Sequence, residues 1–154
     1  MKNRSEVRTD EDQELALKLF VVLSRARTAV SRITEADIAR HGLSAGEFAI
    51  LEALHHKGPL LLGEVQRKIL VSSGGVTYLV DRLEQQGLVE RRDCASDRRA
   101  RYAALTDKGE QLMERIFPEH AEAVRRATQG LGMEEKRQAI ELLRKLGRSA
   151  AEAE

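Results

Sequence analysis

One stretch, Val71 to Gly109, sets what the rest of this chain can build, because it couples a short helix directly to a basic hairpin. Val76, Leu79, Val80 and Leu83 recur at helical spacing, which predicts a helix with one apolar face. Ser72 or Ser73 can open it, since a hydroxyl at the N-cap accepts a free N–H of the first turn. Gly87 suits the left-handed position after the last turn, where Leu88 can fold back onto Leu83. The outward face carries Thr77, Tyr78, Asp81 and Arg82 and begins with Gly74 and Gly75. Glycines near a helix N-terminus let the backbone come close to a phosphate. The runs LVERR and ARYAAL then read as two strands joined by DCASDR. Five arginines (91, 92, 98, 99 and 101) lie around that tip, with Asp93 and Asp97 among them. A helix followed by a basic hairpin is the winged form of helix-turn-helix.

The segments VTYLVDRLEQQGLVER and SDRRARYAALTDKG resemble the MarR-type winged-helix transcription factors. In that family a recognition helix ends D-R-L-E-x-x-G-L-V, a wing carries D-x-R, and L-T-x-x-G opens the next helix. Asp97 and Arg99 match the second element; Leu105, Thr106 and Gly109 match the third. The resemblance implies a mainly α fold with a small β-hairpin wing, and a homodimer that binds double-stranded DNA at a palindromic operator. It further implies a repressor released by a small molecule or an oxidant. The wing is similar to that of members linked to phenolic or quinone compounds.

On this reading Thr77, Tyr78 and Arg82 face the major groove, with Ser72 and Ser73 near phosphate or base edges. Arg67 contacts the backbone. Arg99 enters the minor groove with its direction held by Asp97, and Arg98 and Arg101 add phosphate contacts. A ligand pocket between the dimer helices and the head would draw on Arg25, Phe48 and His55, with Arg32 and His120 as further candidates.

Length and charge agree with this. At 154 residues the chain forms one domain with a sizeable core, divided into a head over about 44–109 and helical arms over about 10–40 and 110–150. Net charge is only +1, so distribution matters more than total. Residues 88 to 101 hold five arginines against Glu90, Asp93 and Asp97, which leaves +2 there and −1 elsewhere. The basic charge is focused on the wing. No 18-residue apolar run and no signal-peptide pattern is present, so the expected compartment is the cytoplasm and no membrane is engaged.

From the N-terminus, residues 1 to 9 are polar and read as frayed, and Thr9 or Asp10 is expected to start the first helix. Leu15, Leu19, Val22, Ala26, Val30 and Ile33 give it an apolar stripe to about Arg40, longer than a small DNA-binding head requires. The resemblance assigns this helix to dimerisation. Ser44 and Glu47 form a capping-box pair for a second helix that stops before Gly58-Pro59. Leu60 to Leu62 is an apolar run without a good cap, and Gly63 to Ile69 reads as the first helix of the helix-turn-helix. Thr106 caps a helix in which Pro118 should produce a kink or a break. Gly130 and Gly132 set off a last helix that Gly147 weakens before a frayed AAEAE tail.

Other chemistry finds little support. The histidines (41, 55, 56 and 120) include no i,i+4 pair, and no Walker loop or G-x-S-x-G is present, so no metal, cofactor or enzymatic activity is expected. Cys94 is a candidate sensor thiol, because Arg91, Arg92, Arg98 and Arg99 could favour its thiolate. Peroxide-sensing members of the family carry their cysteine in the first helix, where this chain has none. A winged helix used for protein contact without specific DNA binding is the alternative reading. A thiol enzyme is a remoter one, since no base is placed beside Cys94.

Overall fold

The computed structural model describes residues 4–69 and 73–153, and the backbone alone for residues 4–9, 73 and 74. The first helix, α1 (Arg4–Arg40), runs 37 residues without interruption. It begins ahead of Thr9 and Asp10, which lie inside it rather than at its start. No glycine or proline occurs between residues 4 and 40 to stop it, and a polar sequence is no obstacle to a helix of good helix formers. Ser24 and Thr28 sit mid-helix with their hydroxyls donating back to the carbonyls of Phe20 and Ser24.

The second helix, α2 (Ala45–Lys57), has the predicted capping box: Glu47 N–H donates to Ser44 Oγ at 3.2 Å, and Ser44 N–H donates to Glu47 Oε2 at 2.8 Å. A two-residue strand, β1 (Leu60–Leu61), takes the place of the uncapped apolar run. Helix α3 (Leu62–Ile69) follows at once, and Glu64 supplies the missing cap by accepting Leu61 N–H at 3.0 Å. Helix α4 (Ser73–Gln85) then leads through Gly87, at φ +71°, into β2 (Val89–Cys94) and β3 (Asp97–Leu105). Leu88 N–H donates to Leu83 O at 2.9 Å, and both side chains are buried, so the predicted fold-back at the end of α4 is present. The strands form one antiparallel sheet in the order β1-β3-β2, with Leu60 opposite Ala103 and Val89 opposite Leu105.

Helix α5 (Asp107–Ala127) is capped by Thr106, whose hydroxyl accepts Gly109 N–H at 3.1 Å and donates to Gly87 O at 2.6 Å. That one side chain ties the end of α4 to the start of α5. Gly109 is required by contact: a Cβ there would lie 2.1 Å from the Leu88 carbonyl oxygen. Pro118 does not divide α5, which continues as a single helix. The last helix, α6 (Met133–Ala151), runs through Gly147 and into the alanine-rich tail, so its end lies beyond the expected point.

The core lies in the head. Ile50 and Leu51 of α2, Val65 of α3, Val80 and Leu83 of α4, and Met113 and Ile116 of α5 are fully buried and pack as one cluster. α1 joins it only near its end, through Ile38. Earlier on α1, Leu15, Leu19, Phe20 and Val22 are exposed, as are Met133, Ile140, Leu142 and Leu143 on α6. Two amphipathic helices therefore leave their apolar stripes uncovered by this chain.

Candidate nucleic-acid interface

The head presents α4 and the hairpin from a rigid base. Arg91 on β2 fastens them together: its guanidinium pairs with Asp81 at 2.6 Å and with Glu84, and its backbone N–H donates to Glu84 Oε1 at 3.0 Å. With 18% of its side chain exposed, Arg91 belongs to the scaffold of the hairpin and is not available to a ligand. Sequence reading counted it only as charge. Its carboxylate partners stand ten and seven residues back on a different element, which no local pattern reveals.

The remaining arginines sort by their partners. Arg92 pairs with Glu90 at 2.7 Å, and Arg101 lies 3.9 Å from Asp93. Arg98 and Arg99 are exposed and make no ion pair among the described residues. The strand register explains their position. Asp93 pairs with Arg101 but Cys94 pairs with Asp97, so the pairing jumps and Arg98, Arg99 and Ala100 bulge from β3. The turn is thus Ala95-Ser96, and both arginines lie within β3, although Arg98 was expected in the joining loop. Asp97 stabilises this shape by accepting the backbone N–H of Arg99 at 2.9 Å. It holds the main chain of Arg99; no bond to the guanidinium occurs, so any orienting effect acts through the bulge.

Arg67 near the end of α3 comes into the same neighbourhood. Together with Arg99 and Arg101 it lines a cleft of about 460 Å³ between the start of α3 and the hairpin. Thr77 and Tyr78 are exposed on α4, Tyr78 to 60%. Ser72 lies outside the described residues, as does the side chain of Ser73; the α4 helix itself begins at Ser73.

Arg82, expected to face the major groove, also has a partner within the head. Its Nε donates to Glu47 Oε1 at 2.9 Å, and Glu47 is only 1% exposed. A buried carboxylate left without a cation is costly, so this pairing is a strong one, while 47% of the Arg82 side chain stays exposed on the outer side of α4. Gln86 Nε2 donates to the same oxygen at 3.2 Å.

Cys94 is half-buried at the end of β2, its Sγ 3.2 Å from Ser96 Oγ and 3.9 Å from the Tyr102 hydroxyl. The Ser96 hydroxyl holds the thiol below its ordinary range, helped by backbone bonds at Ser96 and Asp97 and by Tyr102, while burial pushes the other way. The neighbouring arginines, expected to favour the thiolate, are not the cause.

Of the pocket candidates, Phe48 and His120 are brought together, while Arg25 and Arg32 lie apart on α1. Arg25 sits on the exposed side of α1, in a shallow depression with Ser24, Thr28, Ala29 and Arg32. Phe48 belongs to the core, its ring 4.4 Å from that of His120. His55 Nδ1 is 2.7 Å from Glu110 Oε1. His120 is itself 3.2 Å from Asp37 of α1, a buried carboxylate that also pairs with Arg40. Burial raises the Asp37 pKa, but hydrogen bonds and charge from Arg40 and His120 outweigh it and leave the carboxyl below its usual range. Among the described residues no cluster of three histidine, cysteine or carboxylate groups is placed to hold a metal ion.

Comparison with known proteins puts this geometry in context. The model of the MarR family matches residues 41–100, the span from the end of α1 to the bulged arginines. The chain is 42% identical over 137 residues to the HTH-type transcriptional regulator MhqR of Bacillus subtilis, covering 89% of this chain and 94% of that one. Among solved structures, Sco3205 of Streptomyces coelicolor, a MarR family transcriptional regulator in complex with DNA, superposes with a TM-score of 0.78 at 26% identity, over 90% of this chain and 88% of that one. BpsR of Bordetella bronchiseptica, whose DNA binding is regulated by 6-hydroxynicotinic acid, superposes with a TM-score of 0.76 at 26% identity, over 84% of this chain and 98% of that one.

Proposed function

The chain belongs to the MarR family of transcriptional regulators, and from that premise we propose that it is a homodimeric repressor that binds a palindromic DNA operator and is released by a small aromatic ligand or an oxidant. The observation that carries the DNA-binding part is the sorting of the arginines. Arg91 is used internally, while Arg98 and Arg99 are pushed out on a bulge with no ion pair among the described residues, and Arg99 shares a cleft with Arg67 and Arg101. Guanidinium groups without an internal partner gain from the enhanced negative potential of a narrow groove.

Dimerisation is supported by the uncovered apolar stripes of α1 and α6, which a second copy would bury as a helical bundle. Release by an aromatic ligand is supported by the likeness to BpsR. The lowered thiol of Cys94 supports the oxidant. The test is selection of DNA from a random-sequence library by the wild-type protein, followed by titration of the enriched fragment at several salt concentrations. An enriched palindrome bound with a steep salt dependence is expected. Failure to enrich any sequence would overturn the reading.

A further inference from the structure

Glu47 is more than a helix cap. As the N3 residue of a capping box it needs one oxygen, Oε2, to accept Ser44 N–H. Such a residue commonly sits in water. Here it is buried, and its other oxygen, Oε1, pairs with Arg82 of α4 and accepts from Gln86, the residue just after that helix. Those two residues are four apart, with Gln86 N–H bonded to the Arg82 carbonyl, so a single carboxylate holds the last turn of α4 and the residue that follows it. The contact continues outward. Arg82 Nη1 reaches the Tyr78 hydroxyl at 3.4 Å, and the guanidinium carbon lies 5.9 Å from the centre of the Tyr78 ring. A line of side chains thus runs from buried Glu47 in the first turn of α2 to exposed Tyr78, the aromatic residue of α4.

We infer that Glu47 is a positioning residue for DNA sequence readout: through Arg82 it sets the orientation of Tyr78 and withholds the Arg82 charge from phosphates. This rests on the DNA-binding reading above. Two effects of opposite sign follow. Releasing Arg82 makes it available to any phosphate, which strengthens or preserves binding to unrelated sequence. Releasing Tyr78 weakens binding to the preferred sequence. A residue whose role was only to stabilise the head would lower both affinities together.

The experiment uses Glu47→Gln in the full chain, because the amide oxygen can still accept Ser44 N–H and the side chain keeps its size. The probes are the fragment enriched from a random library by the wild type and a scrambled version of it. Glu47→Gln should reduce the preference for the enriched fragment about tenfold, with binding to the scrambled one unchanged or tighter and with helix content retained. In an Arg82→Met background, Glu47→Gln should change the preference no further. An equal loss of preference with and without Arg82, or a parallel fall in both affinities, overturns the inference. So does an unchanged preference in the single variant. If the wild type enriches no sequence, the DNA-binding reading fails first and the inference falls with it; enrichment by the wild type with an unaltered Glu47→Gln variant sinks the inference alone.

Discussion

Arg98→Ala is the substitution that most directly tests how charge is distributed on this head. Arg98 is exposed on the bulge and has no ion-pair partner among the described residues, so its charge is available in full to a phosphate. Each phosphate neutralised contributes about 0.9 to the slope of log affinity against log salt. The proposed dimer would carry two copies, so the variant should flatten the slope by about 1.8. Over a fourfold rise in salt the wild type then loses about twelvefold more affinity than the variant. Arg91→Gln is the control. Arg91 pairs with Asp81 and Glu84 in the free protein, so removing it alters the seating of the hairpin but contributes no released counterion. Its slope should match that of the wild type even if its affinity is lower. The assay is fluorescence anisotropy on the enriched fragment at salt concentrations from about 50 to 200 mM. Equal flattening by Arg91→Gln and Arg98→Ala, or none by Arg98→Ala, would refute the division into scaffold and free arginines.

Three further outcomes are expected. Asp97→Ala should weaken specific binding although it removes a negative charge, because the bulge loses the acceptor of Arg99 N–H; tighter binding in the same titration would reject that role. Gly109→Ala should destabilise the head by about 3 kcal/mol, since the new Cβ meets the Leu88 carbonyl rather than a movable side chain, and calorimetry should show Tm lower by roughly 6–12 °C. Asp37 has a depressed pKa when folded, so its stabilisation is present above the ordinary carboxylate range and is lost as pH falls through the folded value. The gap in Tm between wild type and Asp37→Asn should therefore be open at neutral pH and close below about pH 4; a gap independent of pH would contradict the pairing with Arg40 and His120.

Much of this architecture was written locally. Ser44 with Glu47, Gly87 with Leu88, and Thr106 with Gly109 are punctuation that acts within a few residues, and each appears where the sequence placed it. What escaped depends on distant partners. β1 is two residues long and exists because Leu60 and Leu61 find Ala103 and Tyr102, some forty residues on. The start of α3 looked uncapped because its acceptor is a glutamate inside the helix and not a serine before it. The partner of Arg82 was not legible either, because the buried Glu47 that pairs with it lies 35 residues earlier. The bulge at Arg98 and Arg99 comes from a register jump that alternation of residue types does not encode. The scattered positions of Arg25, Phe48 and His55 show the same limit, since residue type alone says nothing about convergence.

At 1.5 Å per residue, the 37 residues of α1 reach about 55 Å, and most of its described side chains are exposed in the single chain. Isolated helices in water are marginal. On the proposed pairing, a protomer that loses its partner also loses what keeps this arm wound, so folding of the arm and assembly become a single mass-action equilibrium. At high dilution the dimer concentration follows the square of the protomer concentration. Occupancy of a DNA site then inherits that square, and a modest change in how much protein is made acts on the site as a larger one.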